Sequence, residues 1–578
     1  MNLVPKLCGA DVELGNFILG LEHAWGTGPQ ASQALLREID GLPRGSSGSV
    51  YSAGESGSSD WWPRASGRSG TRSGWSSGDG RGWDPQDWGR KFLASNGGCI
   101  YIDLDHLELC LPEVLSARDW VAAWYAMLRL ARTAQVAAND KLPAGQTLQV
   151  LVNNSDGRGS SWGGHLDFLV SRRLWDRLFH RKMHQMLFLA SYQASSIVFT
   201  GQGKVGSENG RPPVEFQLAQ RADFFETLTG LQTTYRRPLV NSRDEPLCGG
   251  SGGARGEDRG QSLARLHVIF YDSNLCQVAN LLKVGVMQIV LALLEAERFD
   301  PELILDDPLA AALAWSHDPQ LAARSPLVSG RSLTAVEHQL LVLEYVRPFV
   351  EAGECDEAVP GAGEILELWA ETLALLARRD LDRLAPRLDW VLKLTSLERL
   401  LVRQPGLDWQ SPELKHLDHL YSSLDPAEGL YWAYQEQGLV ETVVEEAEIA
   451  RRVTEPPPDT RAWARAMLLR GLDPEAVERV DWDSIQIAMP GGGESWVVEL
   501  GSPLLSGKGE LRGRFRRLTP RGQGSAVKSL SGSSALAPLA ANAAAVPLAL
   551  QPYTPTAIPH PSLSKGSTGG PDHEVPST

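Results

Sequence analysis

Side chains that can bind metal ions or phosphate recur at alternate positions in five stretches of the sequence that have the pattern of β-strands. The five sets are Asp11 and Glu13; Tyr101 and Asp103; His165 and Asp167; Asn241, Arg243 and Glu245; and Arg265 and His267. Because strand side chains alternate between two faces, residues two apart point the same way. The intervening positions are largely apolar, so we expect one apolar face and one face rich in acidic, basic and imidazole groups.

The acidic members of this face could hold Mg²⁺, which prefers hard oxygen ligands and usually keeps substrate phosphates in its shell. The predicted metal-site residues are Asp11, Glu13, Tyr101, Glu108, His165 and His267. The histidines would supply nitrogen or orient other ligands.

Four arginines could neutralise a polyphosphate, because a guanidinium group matches phosphate oxygens in a fork. They are Arg221, Arg237, Arg243 and Arg265. The turn GQGKVG at 201–206 offers backbone N–H groups and a lysine, but it does not have the P-loop pattern.

Asp103 stands apart from this ligand set and shares a predicted face with Tyr101. A carboxylate in that position could act as a base or as a nucleophile toward an activated carbonyl or phosphoryl group.

Each set also has a structural interpretation. A single histidine on a strand is more often structural, and an isolated Asp-x-Glu pair more often lies on the surface. Arg243, Asp244 and Glu245 could form a salt-bridged turn. The occurrence of all five sets in one apparent sheet favours a functional site.

The totals describe an ordinary soluble protein of 578 residues, long enough for two or more domains. A net charge of −15 without a long basic block makes nucleic acid an unfavourable partner. The six cysteines contain no CxxC, which fits reduced thiols in a cytosol. The N-terminus does not have the pattern of a signal peptide, and the apolar stretch at 284–294 is too short to span a bilayer. We therefore predict a cytoplasmic protein that does not bind membranes.

The predicted organisation is a catalytic domain at 1–400, a small C-terminal domain at 401–505 and a disordered tail at 506–578. A Gly/Ser-rich stretch at 43–90 interrupts the first domain as a mobile insertion. Helices are predicted at 31–39, 113–137 and 275–298, and 333–450 is predicted to be mostly helical. Strands are predicted at 197–206, entering the Gly-rich turn, and at 480–489.

Several longer blocks of the sequence resemble the Pup ligase and depupylase family, the actinobacterial enzymes that attach or remove the small protein modifier Pup. The blocks are DVELG (11–15), YIDLDHLE (101–108), NNSDGRGSSWGGHLDFL (153–169), VFTGQGKVG (198–206), QRADFFETLTGLQTTYRRPLVNSRDEP (220–246), RLHVIFYDSNLCQVANLLKVG (265–285), LDWVLKL (388–394), LYSSLDPAEGLY (420–431) and PPPDTRAW (456–463). The family is related to glutamine synthetase. The resemblance therefore implies an α+β fold, in which a curved antiparallel sheet forms a cradle packed with helices, plus a smaller C-terminal domain.

The resemblance also implies cofactors, partners and roles. ATP and Mg²⁺ are the expected cofactors, and a Pup-like modifier and its lysine-conjugated targets are the expected partners, with the proteasome pathway as a further connection. Asp103 matches the catalytic carboxylate, and Asp11, Glu13, Tyr101 and Glu108 match the metal site. The two histidines match metal- or nucleotide-site positions. Arg221 and Arg243 match the phosphate and glutamyl pocket, and Arg237 and Arg265 match it less closely.

The sequence departs from the family pattern in three places. Asp11 stands where Glu is usual, Leu107 replaces a customary Pro, and the residues around His165 differ from the usual Thr and Glu-Asn. These differences affect the expected substrate details more than the expected ATP site.

Three features favour a depupylase, which hydrolyses the isopeptide bond and can deamidate the modifier, over a ligase. The 43–90 insertion lies where depupylases carry one, although its sequence is unlike theirs. The spacing from Asp103 to Glu108 is that of depupylases, and the blocks at 420–431, 456–463 and 481–485 are closer to them. The alternatives are a ligase that works through a glutamyl phosphate, and an inactive relative that only binds nucleotide or modifier.

Overall fold

The computed structural model describes residues 3–21, 26–39, 42–43, 88–245, 247, 263–488, 495–506, 511 and 515–518. Most of the predicted insertion at 43–90 and most of the predicted tail at 506–578 therefore lie outside the described residues.

The strands alternate along the chain with helices in the first half and return at the C-terminal end. They are β1 Cys8–Leu19, β2 Leu42–Pro43, β3 Trp88–Phe92, β4 Cys99–Asp103, β5 His106–Cys110, β6 Thr147–Leu151, β7 Gly164–Ser171, β8 Lys204–Val205, β9 Phe216–Gln217, β10 Phe225–Gly230, β11 Arg237–Asn241, β12 Leu263–Val268, β13 Ser325–Pro326, β14 Ser332–Leu333, β15 Val477–Val480, β16 Ser484–Ala488, β17 Ser495–Glu499 and β18 Phe515–Leu518.

The helices dominate between residues 277 and 471. They are α1 Gly28–Arg37, α2 Ala117–Asn139, α3 Arg172–Asp176, α4 Met183–Thr200, α5 Gln277–Glu295, α6 Pro308–Ser316, α7 Ala335–Glu351, α8 Ala362–Arg378, α9 Leu381–Leu384, α10 Asp389–Arg403, α11 Pro412–Tyr421, α12 Leu430–Glu436, α13 Glu446–Thr454 and α14 Arg461–Gly471.

The largest sheet is antiparallel, with the strand order β12-β7-β1-β5-β4-β3-β2, and β6 pairs with the second half of β1. Strand β1 lies in the middle of this sheet. Its first half buries Ala10, Val12 and Leu14 on one face, while Asp11 and Glu13 point to the other face. The α+β class expected from the resemblance is confirmed: an antiparallel sheet packed with helices.

Four of the five polar stretches lie in this sheet, and the fifth does not. Arg237–Asn241 forms β11, which pairs in parallel with β10 as a separate two-stranded sheet. The prediction of one sheet for all five was therefore wrong in this part, since Asn241 ends β11 and Arg243 and Glu245 lie beyond it in irregular backbone. Residue alternation identifies neither the end of a strand nor its pairing partner.

The core beneath the sheet is helical, and α5 runs through it. This helix is long and apolar enough to cross a membrane by composition, but 94% of its most apolar window is buried inside the protein. It packs against α2, α4 and α8, and Trp124 of α2 donates a hydrogen bond to the carbonyl of Asn274 just before α5. The helix is thus a core element, as predicted for 275–298.

Most other element predictions agree with the structure, with one error of type. The stretch predicted as a strand at 197–206 is helical up to Thr200, the end of α4, and only Lys204–Val205 of it forms a strand, β8. Ile197, Val198 and Phe199 are all buried, and a short apolar run without periodicity does not distinguish a buried strand from a buried helix. The 113–137 helix is α2, capped by the Ser116 side chain, and the predicted strand at 480–489 is β16.

The C-terminal strands β15–β18 form their own sheet over a second apolar core that includes Phe92 and Tyr101 from the main sheet. An ion-pair cluster ties this part to the main sheet: the buried Glu113 carboxylate accepts hydrogen bonds from Arg461 at 2.6 Å and Arg465 at 2.6 Å. The predicted domain boundary at residue 400 stays a prediction. The larger apolar core continues across this position to Ile449.

The Glu113 cluster gives a stability prediction. Burial alone would raise the pKa of Glu113, but Arg465 and Arg461 outweigh it and lower that pKa from 4.5 to about 2. A lowered folded-state pKa stabilises the protein above the unfolded-state value, and this contribution is lost as the pH falls from about 5 toward 2. Glu113→Gln should therefore lower the free energy of unfolding by about 3 kcal/mol at neutral pH, measured by urea denaturation.

The difference between wild type and Glu113→Gln should narrow as the pH falls below about 5. The control is Glu446→Gln, which breaks an exposed ion pair with Arg129 and should cost no more than about 1 kcal/mol. Equal effects of the two substitutions on the free energy of unfolding would contradict this account of the cluster. So would a difference between wild type and Glu113→Gln that does not change with pH.

Candidate functional site

A cleft of about 530 Å³ lies over the polar face of the main sheet. Eight of the eleven predicted site residues line it: Asp11, Tyr101, Asp103, Glu108, His165, Arg243, Arg265 and His267. The other three, Glu13, Arg221 and Arg237, do not line it.

The strand register gathers the acidic side chains. In β1 and β5, Asp11 lies opposite Cys110 and Glu13 lies opposite Glu108, while Tyr101 of β4 faces Glu108 from the other side. Carboxylate oxygens of Glu13, Asp103 and Glu108 lie within 4.8 Å of one another. Three residues that are distant in sequence thus form one acidic group.

A tight turn holds Asp103 in this group. Asp103 pairs with His106 across the two-residue turn Leu104–Asp105, and Leu104 has a φ of 51°. A leucine in the left-handed region is strained, and such strain persists only where the surroundings fix the backbone. The His106 ring supplies one constraint, since it stacks on Trp162 at 4.7 Å and its Nδ1 lies 3.0 Å from the carbonyl oxygen of Leu14.

Buried like charges perturb the acids. Burial, and then the charge of Asp167, raise the pKa of Asp11 from 3.8 to about 8. Burial, followed by Asp11, Glu13 and Asp103, raises the pKa of Glu108 well above its ordinary value. One Glu108 oxygen, Oε2, is buried without a hydrogen-bond partner among the described residues. The cluster therefore has more negative charge than its protein neighbours neutralise.

A second acidic centre lies on β7 and β12. Asp167 Oδ1 is 2.8 Å from His267 Nδ1 and 3.1 Å from an Arg265 nitrogen. Burial would raise the pKa of Asp167, but Arg265 and His267 outweigh it and lower that pKa. Ligand atoms of Asp11, Asp167 and His267 also lie within 4.8 Å of one another, so Asp11 joins the two acidic centres.

His267 is buried and His165 is half-buried, and both are held neutral. Burial, and then His267, lower the pKa of His165 well below its ordinary value, and burial also lowers that of His267 despite Asp167. Their rings lie edge to face at 5.0 Å. The Nε2 atom of His165 has no hydrogen-bond partner among the described residues, and a neutral imidazole nitrogen is a common metal ligand.

The four predicted arginines separate into two pairs. Arg243 and Arg265 line the cleft, where each forms an ion pair with Glu245, at 3.6 Å and 3.1 Å. Arg221 and Arg237 lie outside the lining, and Arg221 donates to the carbonyl of Ile269.

The second pair of arginines places positive charge near Glu13. Arg237 donates to the carbonyl of Ser161 at 2.5 Å and to that of Thr233 at 2.8 Å. Burial, and then Arg237, lower the pKa of Arg221 to about 9, while the charge of Glu13 favours its protonated form. The Glu13 carboxylate is fixed in turn by the backbone N–H of Gly163, which donates to Oε2 at 2.8 Å.

These observations test whether the residues fit a divalent cation. An excess of buried carboxylate charge, an unpartnered Glu108 oxygen and an unpartnered His165 nitrogen are the groups that a bound cation would satisfy. The donor set therefore fits a metal ion, and the neighbouring Arg243 and Arg265 fit an anion beside it.

The Gly-rich turn at 201–206 does not contribute its lysine to the cleft. Lys204 is buried and its Nζ donates to Glu208 at 2.7 Å, to the Gln220 carbonyl at 3.0 Å and to Asp223 at 3.3 Å. Its role in the described part of the chain is structural.

Sequence reasoning missed several residues that line the cleft: Arg90, Asp167 as a site residue, Asp481 and Trp482. It also missed Cys110, which lies beside Asp11 and Glu108. Asp167 carried the same alternation signal as His165. Arg90 is the last residue of the predicted insertion; it belongs to β3 and lies over the Tyr101 ring at 4.0 Å. Trp482 lies between β15 and β16, and its carbonyl oxygen accepts a hydrogen bond from Arg465.

Comparison with known proteins gives a consistent result. Residues 51–486 match the family model described as Pup-ligase protein. The chain is 35% identical over 430 residues to the depupylase of Acidothermus cellulolyticus, covering 74% of this chain and 82% of the relative. It is 34% identical over 407 residues to the Pup deamidase/depupylase of Mycolicibacterium smegmatis, covering 70% and 77%. It is 32% identical over 419 residues to the Pup–protein ligase of Micrococcus luteus, covering 69% and 84%.

Two solved structures share the fold. One is the Pup ligase PafA in complex with Pup, with a TM-score of 0.69 and 21% identity over 88% of this chain and 90% of that one. The other is PafA in complex with ADP, with a TM-score of 0.64 and 25% identity over 74% and 89%. With the family model covering most of its length and relatives above 30% identity, the chain belongs to the Pup ligase and depupylase family.

Proposed function

We propose that this protein is an ATP- and Mg²⁺-dependent depupylase, which hydrolyses the isopeptide bond between a Pup-like modifier and a substrate lysine and can deamidate that modifier. The observation that carries the proposal is the position of Asp103, which borders the cleft and lies within 4.8 Å of the Glu13 and Glu108 carboxylates. The same geometry would serve a ligase, so the direction of the reaction needs separate support.

The choice of hydrolase has two supports. The short turn between Asp103 and His106 produces the five-residue spacing from Asp103 to Glu108, which the sequence resemblance associates with depupylases. Relatives named depupylase or Pup deamidase/depupylase are 34–35% identical to this chain, and the ligase from Micrococcus luteus is 32% identical. The small difference in identity makes the first support the stronger one.

In this proposal Asp11, Glu13 and Glu108 would hold Mg²⁺, with Tyr101, His165 and His267 beside them. When bound there, Mg²⁺ would neutralise phosphate charge and orient the nucleotide. Arg243 and Arg265, which also line the cleft, would neutralise the same phosphates. This is consistent with the PafA relative whose structure contains ADP.

Asp103 would act on the isopeptide carbonyl as a base or as a nucleophile. As a base it takes a proton from water while the water oxygen bonds to the carbonyl carbon. The carbon–nitrogen bond then breaks, and the lysine amine leaves with the transferred proton. As a nucleophile, its carboxylate oxygen bonds to that carbon, and the carbon–nitrogen bond breaks as the lysine amine leaves with a proton from water. The hydroxide then hydrolyses the resulting anhydride, which releases the modifier and restores the Asp103 carboxylate.

The remaining predicted residues would position these groups. Arg221 and Arg237 place positive charge near Glu13. The neutral imidazole of His165 has a nitrogen, Nε2, without a hydrogen-bond partner among the described residues, and this atom could accept a proton or bind a metal ion. The partner would be a Pup-like modifier on protein lysines in the cytoplasm, with the proteasome pathway as the cellular connection.

The test is incubation of the full chain with Mg²⁺-ATP and a Pup-like modifier, either free or isopeptide-linked to a test protein, followed by intact-mass measurement. Release of the linked modifier, or a gain of about one dalton when glutamine becomes glutamate, supports the hydrolase. A new conjugate from a free Glu-ended modifier would make the protein a ligase. Nucleotide binding without either product would favour an inactive scaffold.

Asp103→Asn should lower the hydrolysis rate by about 10² to 10⁴-fold, the usual contribution of a positioned acid–base group, and leave nucleotide affinity within a few-fold. The rate is measured by release of modifier from the conjugate. The matched control is Asp105→Asn, which makes the same charge change two residues away on an exposed position and should keep activity. Full activity in Asp103→Asn would exclude the assigned role.

Glu108→Gln should weaken Mg²⁺-dependent nucleotide binding by at least about tenfold, because it removes one charge and one potential ligand while keeping the side-chain volume. A magnesium titration of ATP binding measures the effect. Glu446→Gln, on the exposed face of α13, should leave the titration unchanged. An unaltered magnesium dependence in Glu108→Gln would remove this residue from the metal site.

A further inference from the structure

A thiol lies among the carboxylates of the cleft. Ligand atoms of Asp11, Glu108 and Cys110 lie within 4.8 Å of one another, and Cys110 Sγ is 4.0 Å from Glu108 Oε1. The strand register explains this position, since Cys110 is opposite Asp11 across β1 and β5 and two residues beyond Glu108 on the same face. None of the functional assignments above uses this sulfur.

We propose that Asp11, Glu108 and Cys110 form a site for a thiophilic divalent cation such as Zn²⁺. Sulfur is a soft ligand that favours Zn²⁺ and Co²⁺, whereas Mg²⁺ and Ca²⁺ take oxygen ligands almost alone. A site with oxygen ligands alone would not show this preference for Zn²⁺ and Co²⁺. The thiol therefore changes which metals the same cleft can hold.

The dimensions are compatible with tetrahedral coordination. Zinc–sulfur and zinc–oxygen bonds of about 2.3 Å and 2.1 Å place tetrahedral ligands about 3.6 Å apart. The 4.0 Å separation of Cys110 Sγ and Glu108 Oε1 needs only small side-chain movements to reach that value. Three protein ligands would leave a fourth position open toward the cleft.

A second observation points to a ligand at this place. Glu108 is 4% exposed, and its Oε2 atom has no hydrogen-bond partner among the described residues. An unsatisfied buried carboxylate oxygen is costly unless a proton or a cation satisfies it. Carboxylate oxygens of Glu13 and Asp103 also lie within 4.8 Å of Glu108, and such a group of hard oxygen atoms suits a divalent cation.

A second cysteine borders the site. Cys99 is the register partner of Cys110 across β4 and β5, and it shares the face of Tyr101 and Asp103. Neither cysteine forms a disulfide in the described part of the chain. The alternative for both is packing, because they also belong to the apolar core beneath the C-terminal sheet.

The experiment uses Co²⁺ alone as the probe, with the reduced full chain and without nucleotide or modifier. A cobalt–thiolate bond gives a charge-transfer absorption that cobalt–carboxylate binding does not give. We expect a saturable band at one Co²⁺ per chain, which Zn²⁺ abolishes. Absence of the band in the wild type overturns the proposal.

The variants identify the sulfur. The band should disappear in Cys110→Ser and persist in Cys355→Ser, a buried cysteine between α7 and α8. A band that survives in Cys110→Ser would assign it to another thiol and overturn the site. If Cys110→Ser does not fold, Glu108→Gln takes its place and should weaken cobalt binding by at least about tenfold; unchanged affinity would overturn the proposal. Because no reaction is measured, this result is independent of whether the protein is a hydrolase.

Discussion

The antiparallel register of β7, β1, β5 and β4 is the constraint on which the site depends. It puts Asp11 and Glu13 of the central strand beside Glu108 on one side, and Asp11 beside His165 on the other. A shift of one residue in β1 would turn both of its acids into the core and expose its apolar face. The burial of Val12 and Leu14 therefore fixes the position of the chemistry as well as the fold.

Placing these acidic side chains close together is electrostatically unfavourable in the protein alone. The two acidic centres differ in how much of their negative charge the neighbouring residues compensate. Around Asp167, Arg265 and His267 supply positive charge and hydrogen bonds, so that carboxylate stays ionised. Around Asp11 and Glu108 the compensation is incomplete, and their pKa values rise. The donor set around Asp11 and Glu108 thus fits a cation that comes from outside the chain.

The alternation of polar and apolar residues predicted the strands, their faces and most of the site, because a pleated strand with one buried face has a local signature. Strand pairing was harder to predict from the sequence: the 241–245 stretch carries the same alternation but follows a separate parallel strand pair. Contacts between residues that are distant along the chain could not be predicted from local sequence patterns. Trp482 lines the cleft from a part of the chain that Arg461 and Arg465 tie to Glu113, a contact over about 350 positions that no local pattern encodes.

The most direct test of this account is a crystal structure of the full chain with ADP and Mn²⁺, which replaces Mg²⁺ and can be located by its anomalous scattering. The account predicts an anomalous peak bounded by Asp11, Glu13 and Glu108, with the nucleotide phosphates between that peak and Arg243 and Arg265. A nucleotide bound elsewhere, or manganese without contact to these three carboxylates, would contradict it.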